Sequence, residues 1–260
     1  IPTLKYNADT IIYMYYGNPK ITSPTANASG VWSNGFVGVW HLKETTGGSG
    51  AIKDSTSNGN HGTNGGSLSL GATGQIGNAI GFDGTGDLIS ITDPGTGSVL
   101  DFGTGTSITL SAWIRPTSLV SYQSIILKGD TDGSPLNYGL QTYGAELDFN
   151  YYGGSGYQEY TTNNNSGIVS GNWYHVVSTY TFATPGSATH YVNGVVKAGS
   201  WITGTGDQTP SQSDRQLWIG NDVYGEFWNG IIDEVRISRA ARSACWIGTE
   251  YYNQYSPSTY

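Results

Sequence analysis

One acid stands where an acid is costly. In Gly230-Ile231-Ile232-Asp233-Glu234-Val235-Arg236-Ile237, period-two alternation puts Ile231, Asp233, Val235 and Ile237 on one face of a strand. Ile232, Glu234 and Arg236 share the other face, where Glu234 and Arg236 can pair. Asp233 then lies amid apolar neighbours, and a buried carboxylate needs a cation or several donors. Two chemistries meet that need: a core Asp hydrogen-bonded to loop amides, or a ligand to a bound metal ion.

A second group of residues is suited to sugars. Sugars present flat C–H faces that stack on Tyr and Trp, while Asn, Asp and Gln bond their hydroxyls. Tyr152, Tyr157 and Tyr160 cluster with Tyr151 around a Gly153-Gly154-Ser155-Gly156 turn, near Gln158, Asn163 and Asn164. Trp201 lies in a Gly/Thr-rich stretch, and Tyr224 sits beside Asn221 and Asp222. The candidate carbohydrate contacts are therefore Tyr152, Tyr157, Tyr160, Trp201, Asn221 and Tyr224. Trp40, Trp113, Trp173, Trp218 and Trp228 fall in strand-like segments and are assigned to packing.

Catalytic patterns are incomplete. Glu146-Leu147-Asp148 puts two carboxylates on one strand face, but Phe149, Asn150 and Tyr151 follow, and the second acid of a retaining glycosidase is missing there. Asp130-Thr131-Asp132-Gly133-Ser134 begins like a calcium loop, yet Gln141 stands where the closing Glu belongs, so a turn is expected. The four histidines are scattered; His41 and His175 read as packed strand residues and His61 as part of a polar loop. A nucleophile elbow, a phosphate-cradling loop and Cys/His zinc spacing are all lacking.

The elements that must position these groups are strands. Among 260 residues there are 39 Gly, 19 Tyr and 8 Trp, and only 12% are charged. Runs with helical spacing are missing, apart from Ala240 to Asn253, where a short helix fits. Strand segments begin with Phe36 to Leu42. Ala79 to Phe82 and Asp87 to Ile91 read as a hairpin about Asp83-Gly84-Thr85-Gly86. Ser107 to Arg115 alternates, with Ile108, Leu110, Ala112 and Ile114 on one face, and further strands follow to Gln216–Ile219. A dozen or so strands without helices between them predict an all-β, two-sheet antiparallel jelly-roll sandwich. The formal charge of −8 argues against nucleic acid or an anionic membrane as the main partner. No apolar run reaches membrane-spanning length, so membrane insertion is not expected. One cysteine, Cys245, leaves no intrachain disulfide. Low Lys and abundant Asn, Ser, Thr and aromatics suggest an extracellular or cell-surface protein.

Several segments together resemble the laminin-G-like, concanavalin A-like jelly-roll domains of microbial exported proteins. They are Val39-Trp40-His41-Leu42, Asp54-Ser55 with Asn58-Gly59-Asn60-His61-Gly62, and Ala79 to Asp87. Ser111-Ala112-Trp113-Ile114, Trp173-Tyr174-His175-Val176, Tyr191-Val192-Asn193-Gly194 and Gly230 to Ile237 complete the series. Residues 11 to 19 are similar to the tail of an uncharacterised β domain, which implies three segments: a strand remnant and linker over 1–29, the jelly roll over 30–245 and an extension over 246–260. The resemblance implies glycan binding without catalysis and a structural calcium ion, with Asp54, Asn58, Asn60 and Asp233 as its ligands. Two other functions stay open. One is a structural or adhesive subunit of a surface layer or filament, assembling with copies of itself through Thr10 to Gly17. The other is a polysaccharide-cleaving enzyme with an unrecognised site.

Overall fold

The computed structural model describes residues 16–23, 25–129, 135–222 and 225–256. Most of the expected N-terminal strand, the Asp130 turn and Tyr224 lie outside the described residues.

Two eight-stranded antiparallel sheets face each other. Strands are numbered in chain order. The first sheet runs β13 (Val195–Lys197), β12 (Thr189–Val192), β11 (Tyr174–Thr181), β6 (Ser107–Pro116), β16 (Asn229–Ser238), β4 (Asn78–Asp83) and β3 (Ser69–Thr73), with β1 (Phe36–Trp40) also on β16. The second runs β14 (Gly199–Thr203), β10 (Gly156–Thr162), β9 (Glu146–Gly153), β8 (Tyr138–Tyr143), β7 (Tyr122–Lys128), β15 (Leu217–Ile219), β5 (Leu88–Ile91) and β2 (Gly62–Gly65). Alternation sends Ile108, Leu110, Ala112 and Ile114 of β6 into one shared core, opposite Leu147, Phe149 and Tyr151 of β9. Each of these Ile, Leu and Phe side chains contributes about 1.5–3 kcal/mol on leaving water. This is the expected jelly-roll sandwich.

Two expectations need correction. The segments around Asp83 to Gly86 do not pair as a hairpin: β4 bonds to β16 and β3, whereas β5 bonds to β15 and β2. The turn is an arch between the sheets. Asp87 holds it by accepting from the Asp83 and Ser67 amides, and Ile80, Phe82, Ile89 and Ile91 all pack into the core between. Short-range alternation cannot tell an arch from a hairpin, since both bury every second residue.

The simple two-face reading of the last strand also fails. Pairing of β16 with β6 shifts between Asp233 and Arg236, and Glu234 adopts φ 51, a left-handed conformation. The extra residue changes the phase, so Ile232, Val235 and Ile237 enter the core while Asp233 does not share their cluster. Before the bulge β16 pairs with β4, and after it with β1. Asp233 therefore sits where its strand changes neighbours. The expected Glu234–Arg236 pair forms at 2.6 Å, and His41 and Glu250 extend it.

A one-turn helix, α1 (Ala28–Val31), precedes the sheets, and the expected C-terminal helix is α2 (Ala244–Tyr255), capped by the Ser243 hydroxyl. It lies on the outer face of the first sheet: Ile247 packs with Val177 and Tyr191, and Tyr251 stacks on Trp113 at 5.7 Å. The expected boundary at 245 falls inside this helix, whose described residues pack on the sandwich.

One buried cation ties the loops at one end. Lys128 is wholly buried, 2.6 Å from Asp93 and 3.4 Å from Asp101, and donates to the carbonyls of Ser213 and Arg215. Removing one partner of a buried ion pair strands the remaining charges, at about 3–5 kcal/mol. We therefore expect Lys128→Ala to lower the unfolding free energy by about that amount in urea titrations; a loss under ~1 kcal/mol would contradict the arrangement.

Candidate functional site

The side chains of the second sheet that point away from the core form a polar surface. Cross-strand register places Gln141 beside Asp148, Asp148 beside Thr161, Asn150 beside Glu159 and Tyr152 beside Tyr157. Tyr122 lies opposite Tyr143, and their rings stack at 4.5 Å. Asp148 is completely buried. It accepts from Thr161 Oγ1 at 2.7 Å, Gln141 Nε2 at 2.9 Å and Asn150 Nδ2 at 3.2 Å. Burial, with Glu159 nearby, still pushes its carboxyl well above the usual range. Glu159 accepts from Tyr122 at 3.0 Å and from Thr203 at 3.0 Å.

Tyr157 joins these groups. Burial pushes its phenol up, and Asp148, Glu159 and Glu226 add to the shift. Glu226 itself is raised to about 8 by burial and by Asp222. Buried polar atoms on the same outward positions lack protein partners: Ser124 Oγ, Gln141 Oε1 and Asn150 Oδ1, with Trp218 Nε1 one strand further on. Each such atom costs about 1–3 kcal/mol unless something bonds it. Tyr122, Tyr152 and Tyr157 are only partly buried, and Tyr143 is exposed. The face thus combines partly accessible aromatic rings with buried donors and acceptors that lack protein partners.

Of the expected sugar contacts, Tyr152 and Tyr157 are brought together here, with ring centroids 6.5 Å apart. Tyr160 and Trp201 are not. They face each other across β10 and β14 and pack against the core, and Trp201 donates to the Pro185 carbonyl at 3.2 Å. The stretch around Trp201 is a strand edge rather than an open loop, and only a glycine at 206, with φ 71, lets the backbone approach the indole so closely. Asn221 is 5% exposed, with Oδ1 unpartnered. Tyr122, Gln141, Asn150, Glu159 and Glu226 were missed. The signal was present in period two, as Glu146-x-Asp148-x-Asn150-x-Tyr152 and Tyr157-x-Glu159-x-Thr161, but the pairing of the two rows is tertiary.

The four expected calcium ligands do not form one set. Asp54 accepts from the amides of Val39, Thr56 and Asn60 and from the Thr56 hydroxyl, which occupies both its oxygens. Asn58 and Asn60 donate their side-chain nitrogens to the Val37 carbonyl. That loop closes on itself. Asp233 bonds elsewhere, accepting from the Ile76 amide at 2.9 Å. Its Oδ1 is buried without a partner, and burial raises the carboxyl to about 7. Among the described residues no three His, Cys, Asp or Glu side chains gather as a metal cluster.

A laminin-G model of the Concanavalin A-like lectin/glucanases superfamily matches residues 83–248. The chain belongs to that superfamily. A search of curated proteins returned no match. Among solved structures, domain 4 of AbnA, a GH43 extracellular arabinanase from Geobacillus stearothermophilus, in complex with arabinotriose, is similar at 21% identity and TM-score 0.60, over 82% of this chain and 97% of that one. The botulinum neurotoxin serotype D binding domain is similar at 14% identity and TM-score 0.64, over 87% of this chain and 53% of that one. The binding domain of Paraclostridial Mosquitocidal Protein 1 is similar at 16% identity and TM-score 0.65, over 85% and 53%. The chain spans about half the length of these two toxin domains. These likenesses show the fold. No helix among the described residues is long and apolar enough to cross a membrane.

The buried acids set a pH dependence. Glu226 rises from 4.5 to about 8 on folding, so the folded state holds its proton more tightly and stability falls as pH climbs between those values. His175 and His190, lowered by burial from 6.5 to about 4, act oppositely, but only below 6.5. Above that value the acids act alone. The melting temperature should therefore drop between about pH 6.5 and 8, and Glu226→Gln should flatten the upper part of the fall. A flat wild-type profile there would contradict the assignment.

Proposed function

We propose that this domain is a non-catalytic carbohydrate-binding module whose ligand lies on the outward face of β7–β10. The observation that carries this reading is the coincidence of accessible Tyr152 and Tyr157 rings with the unpartnered polar atoms of Gln141 and Asn150. Rings stack on the C–H faces of a sugar while its hydroxyls meet the stranded donors and acceptors. The arabinotriose complex of a similar domain is compatible with it. Export to the cell exterior accords with such a role. Tyr157→Ala is expected to weaken binding of an oligosaccharide found on a glycan array at least tenfold in calorimetry, while Trp246→Ala, on the opposite sheet's helix, leaves it unchanged. Equal affinities for Tyr157→Ala and wild type would end this reading.

Calcium enters only at Asp233. Its free Oδ1 can be satisfied by a proton, which burial favours, or by a cation that also takes backbone carbonyl oxygens. We expect calcium to raise the melting temperature of the wild type and of Asp54→Asn, but not of Asp233→Asn. A response in Asp233→Asn would remove Asp233 from the metal's ligands.

One observation favours a second reading. Glu159 brings to Asp148 the second carboxylate that the Glu146-Leu147-Asp148 stretch lacks by itself. A pair of acids flanking the scissile bond is one requirement for glycoside cleavage. Reducing ends released from a polysaccharide panel, and lost in Glu159→Gln, would establish the enzyme.

A further inference from the structure

Among the described residues, the outward face of the second sheet carries acids and no base. From β9 come Glu146 and Asp148, from β10 Glu159, and from the segment joining β15 to β16 Asp222 and Glu226. The outward positions of β7 and β8 add Tyr122, Ser124, Gln141 and Tyr143, and those of β9 and β10 add Asn150, Tyr152, Tyr157 and Thr161. None of these is Lys, Arg or His. Every charged group that acts on Tyr157, Asp148 or Glu226 is an acid. The basic side chains whose contacts are known are used elsewhere. Lys128 is buried at the sandwich end, Arg236 pairs with Glu234 and Glu250, and Arg239 and Arg242 stack on Phe102 and Phe36.

The acids alone would not make a site. The second observation is the set of buried, unpartnered polar atoms among them. Gln141 is 1% exposed and Asn150 0% exposed, and each keeps a free amide oxygen on this face. A free amide oxygen is an acceptor, so the ligand must offer donors. Sugar hydroxyls do so; a carboxylate or sulfate offers acceptors only and brings a like charge into a poorly solvated acidic row.

We propose that this face selects uncharged oligosaccharides and rejects glycans bearing uronate, sialate or sulfate groups. The inference rests on the carbohydrate-binding reading above and names the ligand class for the same face. Tyr152 and Tyr157 supply the stacking surface, Gln141 and Asn150 receive hydroxyl protons, and Glu159 provides the field that excludes anions. Discrimination of this kind is built by repulsion as much as by attraction.

The test compares neutral oligosaccharides with related acidic ones: galactotriose against trigalacturonate, mannotriose against trimannuronate, and lactose against sialyllactose. Each is titrated calorimetrically into the wild type and into Glu159→Gln, whose fold is checked by its melting curve. The wild type is expected to bind the neutral member of at least one pair at least tenfold more tightly. In Glu159→Gln that gap should shrink severalfold, with Tyr122 and Thr203 still able to bond the amide. If Glu159→Gln melts early, raised salt replaces it: screening should narrow the wild-type gap. Equal or tighter binding of the acidic member, or a gap that neither charge removal nor salt narrows, overturns this inference and leaves carbohydrate binding standing. Absence of binding to both members of every pair overturns both.

Discussion

A strand that buries alternate side chains in a shared core must send the others out, and much of this molecule follows from that constraint. The core takes Leu147, Phe149 and Tyr151 from β9, and thereby sends Asp148, Asn150 and Tyr152 to the opposite face. The neighbouring β10 does the same with Glu159 and Thr161. The polar row is thus fixed in position by apolar burial behind it. Its acids lie close because backbone hydrogen bonds hold adjacent strands about 4.8 Å apart, not because the acids attract.

The two sheets treat their outer faces differently. On the first sheet, α2 covers Trp113, His175 and Tyr191, and the ion pairs of Arg236 with Glu234 and Glu250 join helix to sheet. Trp113 Nε1 there donates to Gln254 of the helix, while His175 Nδ1 and Arg236 Nε stay without a partner. On the second sheet no helix lies over the corresponding surface among the described residues, and several polar atoms stay unpaired. A rigid sheet that holds unpaired groups beside half-buried rings needs little ordering on contact.

The bulge at Glu234 shows how one residue can redirect a strand. Without it, Asp233 would share a face with Val235 and Ile237. With it, the carboxylate turns beneath the loop before β4, and β16 exchanges one neighbour for another. Strand composition does not announce such an insertion. Its cost, a left-handed non-glycine residue, is accepted because Glu234 gains partners in His41 and Arg236.

The sequence by itself determined the class of fold, the strands with clean alternation, the terminal helix and the pairing of Glu234 with Arg236. These are local properties: period, turn residues and neighbours two apart. It also set Tyr152 and Tyr157 on either side of one turn, where their rings meet. Only the tertiary structure decided which sheet each strand joined, so the segments flanking Asp83 became an arch, and Tyr160 and Trp201 turned inward. It alone closed the Asp54 loop upon itself, gave Asp233 a different partner in the Ile76 amide, and brought Glu159 alongside Asp148. The reason is physical. Alternation states that a residue has two faces available, but which face meets the core, and which strand lies beside it, is settled by packing among residues far apart in the chain.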